Sequence, residues 1–230
     1  MEITEYNHAR DMTITFENGY IARHIPYYNF KNKTVFNPLD KVSYGIGYYG
    51  IGRHLSQERA YFVWFDMLKR CYDNKYLVKF PTYIGCEVCE DWHNYQIFAD
   101  WYDKNYYTIE NQKVQLDKDI LIKHNKIYSP DTCVFLPEEI NYIILGRNKS
   151  RGKYPIGVYL HSDGKKFVAQ CHDINKNMIY LGMYDTPQKA FSVYKKYKEK
   201  VIKQVAEKYR AIIPKRAFIA LYNYVVDPDD

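Results

Sequence analysis

No apolar run in this chain approaches the roughly 18 residues that a membrane-spanning helix needs. The longest stretch, "AFIALYNYVV" near the C-terminus, has about half that length, so no membrane partner is expected. The N-terminal "MEITEYNHARD" lacks the basic-then-apolar pattern of a secretory signal, and none is expected. Cysteine is sparse and odd in number, at five residues without extracellular cues. Reduced thiols and a cytoplasmic protein follow as the expectation. Glycine builds no nucleotide loop: Gly45, Gly47, Gly50 and Gly52 in "YGIGYYGIG" are irregularly spaced, and no strand–helix pair frames them. A flexible connector is expected there instead.

Tyrosine is what the chain has in excess, with 26 copies. A tyrosine buries its ring while keeping a polar tip, so it suits small cores and wet binding surfaces alike. Charge is distributed unevenly. Residues 147–216 carry 17 Lys/Arg against 5 Asp/Glu, whereas residues 1–146 carry 16 against 19. A basic segment inside a near-neutral chain suggests a polyanionic partner, most often nucleic acid. The competing reading is a solvated lysine-rich helix, because much of the excess lies in "YKKYKEKVIKQVAEKYR".

Patterning predicts an α+β protein. Over residues 1–52, "MTITFENGYIARHI" places two alternating runs around Asn18-Gly19, a hairpin signal, and a small β-barrel-like domain is expected. Over 53–146, "SQERAYFVWFDMLKRCYD" sets Ala60, Val63, Trp64, Met67 and Leu68 on one helical face, with Ser56 as N-cap. "CEDWHNYQIFADWYDKN" repeats the pattern with Trp92, Tyr95, Ile97, Phe98 and Trp101. Residues 147–152 read as a basic linker. Over 153–216, "PIGVYLH", "KKFVAQCHD" and "NMIYLGMYD" are strand-like runs separated by turns. A long helix follows, capped by Thr186 with Pro187 at its first position. Residues 217–230 are expected to form a tail.

The β-β-β-α segment resembles the DNA-binding domain of plant ethylene-response factors, the Apetala type. The "GV" opening, the "KFVA" strand, the "LGMYDT" turn and the "AFSVY" helix start fall in the family's order over about 55 residues. The resemblance implies that the sheet enters the major groove of double-stranded DNA while the helix braces its back. Alternation would bury Val158, Phe167, Ala169, Cys171, Ile179 and Leu181 against Ala190, Phe191 and Tyr194. The opposite face would present Tyr159, His161, Lys166, Gln170, His172 and Tyr180, with Lys165 beside them and Arg147, Lys149 and Arg151 in the linker. The family commonly carries arginines and tryptophans at several of these positions; Tyr, His and Gln stand there in this chain, which implies a different target sequence.

The middle segment resembles phage and mobile-element proteins labelled HNH endonucleases, whose site is built on a ββα finger. The resemblance rests on "WFDMLKRCY", the helix after "CEDW", and "LDKDI" followed by "NKIYSPDTC". It implies a bacterial-host setting and homing-endonuclease-like nicking with Mg²⁺. A metal-ligating acid matches Asp117, the middle Asn matches Asn125, and the final ligand falls at Asp131 or Thr132. The base histidine is replaced by Lys118, whose ordinary pKa near 10.4 leaves it protonated and unable to activate water. Three substitutes are open: His124 as the imidazole, Asp119 as base or second metal ligand, or Lys118 as a phosphate contact. The alternative is that Asp117 and Asp119 only cap and brace a loop. Cys86-x-x-Cys89, with Cys71 and Cys133, has zinc-compatible spacing, but a single close pair is a weak signal and zinc is not expected. Two functions therefore compete. One is a DNA-binding nicking enzyme; the other is a nuclease-inactive protein that regulates DNA or inhibits a host defence protein.

Overall fold

The computed structural model describes residues 1–144, 153–228 and 230. Helices and strands both contribute, in several small sheets, and the fold is α+β. No helix among the described residues is long and apolar enough to cross a membrane. The chain forms two compact units, neither continuous in sequence: Met1–Asn105 with Lys126–Ser129, and Tyr106–Asn125 with Pro130–Asp230. These bounds differ from the segments read above.

The first unit begins with an open antiparallel sheet of β1 (Glu2–His8), β2 (Asp11–Thr15) and β3 (Ile21–Ile25), in that order. It is a sheet rather than a barrel. The β2–β3 hairpin turns through Glu17, Asn18 and Gly19, with Gly19 at φ 84° and its N–H bonded to the Phe16 carbonyl. Met12, Ile14 and Ala22 make its small core, flanked by α1 (Tyr27–Lys31) through Phe30. The larger part of the unit pairs α2 (Arg59–Tyr72) with α4 (Tyr95–Asn105). Between them in sequence lie α3 (Asn74–Lys79), two 3₁₀ turns, and β4 (Glu87–Val88), which pairs in parallel with β6 (Ile127–Tyr128).

Ala60, Trp64, Met67 and Leu68 are buried on α2 as the spacing requires. Trp64 also donates its indole N–H to the Trp92 carbonyl at 2.7 Å. Two details depart from the reading. Ile97 is exposed and Ala99 and Tyr102 are buried instead. The cap is also not Ser56: α2 starts at Arg59, and the Glu58 carboxylate reaches back to the Leu55 N–H at 3.0 Å. The glycine-rich connector is closely packed. Gly50, at φ +77°, lies where a Cβ would overlap the Asn94 side chain, so the missing side chain is required by a close approach.

In the second unit, β5 (Val114–Asp117) pairs antiparallel with β7 (Val134–Pro137), and α5 (Glu138–Ile144) follows. A three-stranded antiparallel sheet of β8 (Val158–Leu160), β9 (Phe167–His172) and β10 (Met178–Tyr184) has β9 at its centre. Helix α6 (Pro187–Lys208) packs on β9, and Thr186 accepts from the Lys189 N–H as the cap rule predicts. A second helix, α7 (Lys215–Tyr222), packs on α6.

One apolar core joins β7, α5, the β8–β10 sheet, α6 and α7. Val134, Leu136 and Ile140 from the ββα part join Ala169, Cys171, Ala190, Tyr194 and Val201 from the sheet and α6. Ala217, Leu221 and Val226 complete it. The segment expected as a tail is therefore part of the core, because its apolar residues recur at helical spacing after Pro214.

Candidate nucleic-acid interface and the 117–125 loop

Strand pairing sets the faces of the β8–β10 sheet. Tyr159 pairs with Val168, Gln170 with Tyr180, and His172 with Met178, so these residues share the face away from α6. Tyr159 and Tyr180 are 43% and 62% exposed, which leaves two phenols and their neighbours open to a partner. Lys165, Lys166 and His172 are exposed as well; Gln170 and His161 are half-buried. His161 and Lys165 belong to the β8–β9 turn. Asp163 organises that turn, accepting from the Lys165 N–H at 2.9 Å and lying 3.2 Å from the His161 ring. Lys166 lies 3.8 Å from Asp185. Two features escaped the alternation. Val168 is buried although it sits on the outward face, and a bulge at Leu181 shifts the register so that Gly182 and Tyr184 pair with the inward residues Ala169 and Phe167, while Leu181 packs on the core as alternation predicts. Arg147, Lys149 and Arg151 lie outside the described residues.

The nuclease-like residues form a different kind of structure. Asp117 ends β5, and its Oδ1 accepts from the N–H groups of Asp119 and Ile120 at 2.9 and 2.8 Å. Burial and the neighbouring Asp119 charge raise its carboxyl pKa, against the pull of those two N–H bonds. Lys118 is buried, 7% exposed. Its ammonium donates to Asp119 Oδ1 at 2.7 Å and to the Asn125 carbonyl at 2.6 Å, while the Asn125 side-chain amide donates back to the Lys118 carbonyl at 2.9 Å. Lys118 closes the loop across seven residues. Its charge sits on Asp119, where a metal ligand would need an unneutralised oxygen.

His124 is exposed, at φ 60°. Its ring lies with the carboxylates of Asp227 and Asp230, ligand atoms within 4.8 Å of one another. Among the described residues this is the one group spaced to hold a metal ion; Asp117, Asp119 and Asp131 make no such group. Lys123 already supplies a cation there, with its ammonium 2.6 Å from Asp227 and 2.7 Å from Asp230. The loop residues thus do not fit the Mg²⁺ site that the resemblance implies. Cys71, Cys86, Cys133 and Cys171 are buried thiols, and Cys89 is half-buried.

The loop geometry has a stability signature. Asp117→Ala strips the acceptor from two loop N–H groups and is expected to lower unfolding free energy by about 1–3 kcal/mol. Asp117→Asn keeps an oxygen acceptor and should retain most of that stability in urea titrations. Equal losses in both variants would show that the charge, rather than the acceptor, holds the loop.

A histidine site in the first unit had no sequence signal. His54 is buried, its Nδ1 3.1 Å from Glu58 and its Nε2 3.0 Å from Asp100. Glu58 also accepts from the Tyr95 hydroxyl at 3.2 Å, and Arg53 lies 3.6 Å from Asp100. Only the fold brings residues 54 and 100 together, so neither spacing nor motif could show it. Burial alone would lower the imidazole pKa; the hydrogen bonds to Asp100 and Glu58 outweigh it and raise the pKa above 6.5. Because the folded-state pKa is the higher one, this bracket stabilises fully below about 6.5 and is lost as pH rises through the folded value. His54→Gln should therefore flatten the fall in melting temperature above neutral pH. An unchanged pH profile in that variant would dismiss the bracket as a source of stability.

No family model matches the chain, and no curated protein or solved structure matches it.

Proposed function

We propose that this chain binds double-stranded DNA through the outward face of the β8–β10 sheet and that the 117–125 loop braces the fold instead of activating water. The observation that carries the proposal is the row Tyr159, Gln170, His172 and Tyr180 on one face, flanked by exposed Lys165 and Lys166. A three-stranded sheet of this kind can place side-chain donors and acceptors against base edges, with lysines reaching phosphates. The basic balance of residues 147–216 supports the same partner. The resemblance of the middle segment to phage and mobile-element proteins supports a bacterial-cytoplasm setting for such a DNA binder.

The full chain is expected to shift a duplex probe at low salt, with affinity falling steeply as salt rises, because neutralised phosphates release counterions. Lys165→Ala and Lys166→Ala should each reduce the log–log salt slope by about 1. Gln170→Ala with Tyr180→Ala should weaken binding to a preferred sequence by roughly tenfold or more and leave the slope unchanged. No shift at any salt would sink the DNA reading and leave a protein partner, such as a host defence protein, as the better account.

Nicking separates the enzyme from the binder. With Mg²⁺ or Mn²⁺, supercoiled plasmid is expected to stay intact. The His124, Asp227 and Asp230 group is the observation that favours the other outcome. Metal-dependent nicking lost on His124→Ala would establish a nuclease centred there.

A further inference from the structure

Helix α5, helix α6 and the β9–β10 turn line a half-open cavity of about 210 Å³ in the second unit. Its walls include Tyr142, Cys171, Tyr194 and Val201, and two lysines line it, Lys176 and Lys198. A cavity of about 150 Å³ suffices for a benzene ring, so this one has room for a ring with a substituent.

Lys198 is half-buried where its α6 neighbours Lys196 and Lys200 are exposed, and it differs from two further lysines of the helix in its contacts. Lys195 is paired with Glu199, and Lys208 with Glu139. Lys198 is partly buried, with no hydrogen bond or ion pair among the described residues. Burial pushes its pKa below the ordinary lysine value; the charges it feels are the Cys171 thiol and the Asp230 carboxylate. Asp230 is held by Lys123, and burial pushes the Cys171 thiol up, away from its charged form.

The only acid among the cavity's described lining residues is Asp173. It accepts from the N–H groups of Asn175 and Asn177 at 2.9 and 2.8 Å and from the Asn177 side chain, so it is engaged in its own turn. Lys176 lies 5.1 Å from the centre of the Tyr142 ring. The cavity therefore presents aromatic and aliphatic walls, two cationic groups, and no free carboxylate among its described lining residues. A half-buried cation with no partner among the described residues is unfavourable, and an anion with an apolar body would satisfy both features.

We propose that this cavity is a binding site for a small aromatic carboxylate, with the carboxylate on Lys198 and the ring against Tyr142, Tyr194 and Val201. Gln170 and His172 line this cavity as well as belonging to the proposed DNA-reading row, so the benzoate test is made without DNA and its failure leaves the DNA reading standing. The probe is benzoate, titrated calorimetrically into the full chain, with benzamide and inorganic phosphate as controls. Benzoate is expected to bind with a Kd on the order of 1 mM or tighter, and benzamide at least about tenfold more weakly. Lys198→Met removes the charge and keeps the stem, so it should fold and lose benzoate binding; Lys198→Arg should keep it. A cooperative thermal melt of Lys198→Met confirms that the loss is local. The proposal is overturned by any of three results: no benzoate binding to the wild-type chain at about 10 mM, equal binding to Lys198→Met, or phosphate binding in place of benzoate.

Discussion

Deleting residues 215–230 is expected to abolish cooperative folding of the second unit. Ala217, Leu221 and Val226 are each at most 2% exposed and belong to the same core as Tyr194 and Val201. Losing one buried leucine side chain costs about 2–5 kcal/mol, and the whole stability of a domain is about 5–15 kcal/mol. Polar links go with the apolar ones. Arg216 donates to the carbonyls of Pro130 and Cys133 at 3.0 and 2.6 Å, and Asp227 and Asp230 hold Lys123. Leu221→Ala alone should lower stability by about 2–5 kcal/mol in urea titrations. A 1–214 protein with an undiminished melting transition would refute this account of the core. The same packing explains why DNA-binding measurements require the full chain: a fragment ending at residue 216 lacks one wall of its interior.

Gly157→Ala is the second large effect. Gly157 sits at φ +74°, and a Cβ there would overlap the Tyr194 ring, which is 4% exposed and cannot swing away. The left-handed conformation costs a non-glycine residue about 1–2 kcal/mol, and forcing atoms into a packed core costs about 1–3 kcal/mol more. A loss of roughly 2–5 kcal/mol is expected. Gly164 provides the control. It has φ +70° with nothing within 4 Å of its absent Cβ, so Gly164→Ala should show only the conformational part. Equal losses at the two sites would mean that Tyr194 exerts no constraint. Combining Gly157→Ala with Tyr194→Ala should cost less than the sum of the single changes, because the second relieves the overlap created by the first.

Local rules served well where one stretch of chain decides its own shape. Thr186 and Pro187 start α6 where the cap chemistry requires. Gly19 turns the β2–β3 hairpin, and Trp64, Met67 and Leu68 face inward on α2. The outward row of the β8–β10 sheet followed from alternation as far as Tyr180, beyond which a single extra residue broke the period. Readings failed where distant residues compete. Glu58 could have served any helix start, yet it bonds Leu55, His54 and Tyr95 together. Lys118 shows the sharpest limit: its identity is plain in "LDKDI", but whether its ammonium meets solvent, phosphate or its own loop depends on residue 125 folding back over it. Helix α7 was legible after all. Pro214 followed by Ala217 and Leu221 at helical spacing is a start signal and an apolar stripe.

The pairing of Glu87–Val88 with Ile127–Tyr128 has a consequence for synthesis on the ribosome. The first unit cannot complete its parallel strand pair until residue 128 has emerged, some twenty residues after Asn105 ends its main run. At about 5–20 residues per second, that leaves an interval of roughly 1–5 s in which β4 has no partner while residues 106–125 of the other unit are already exposed. The first unit can therefore close once residue 129 has emerged, while residues 106–125 wait for 130–230 to complete the second.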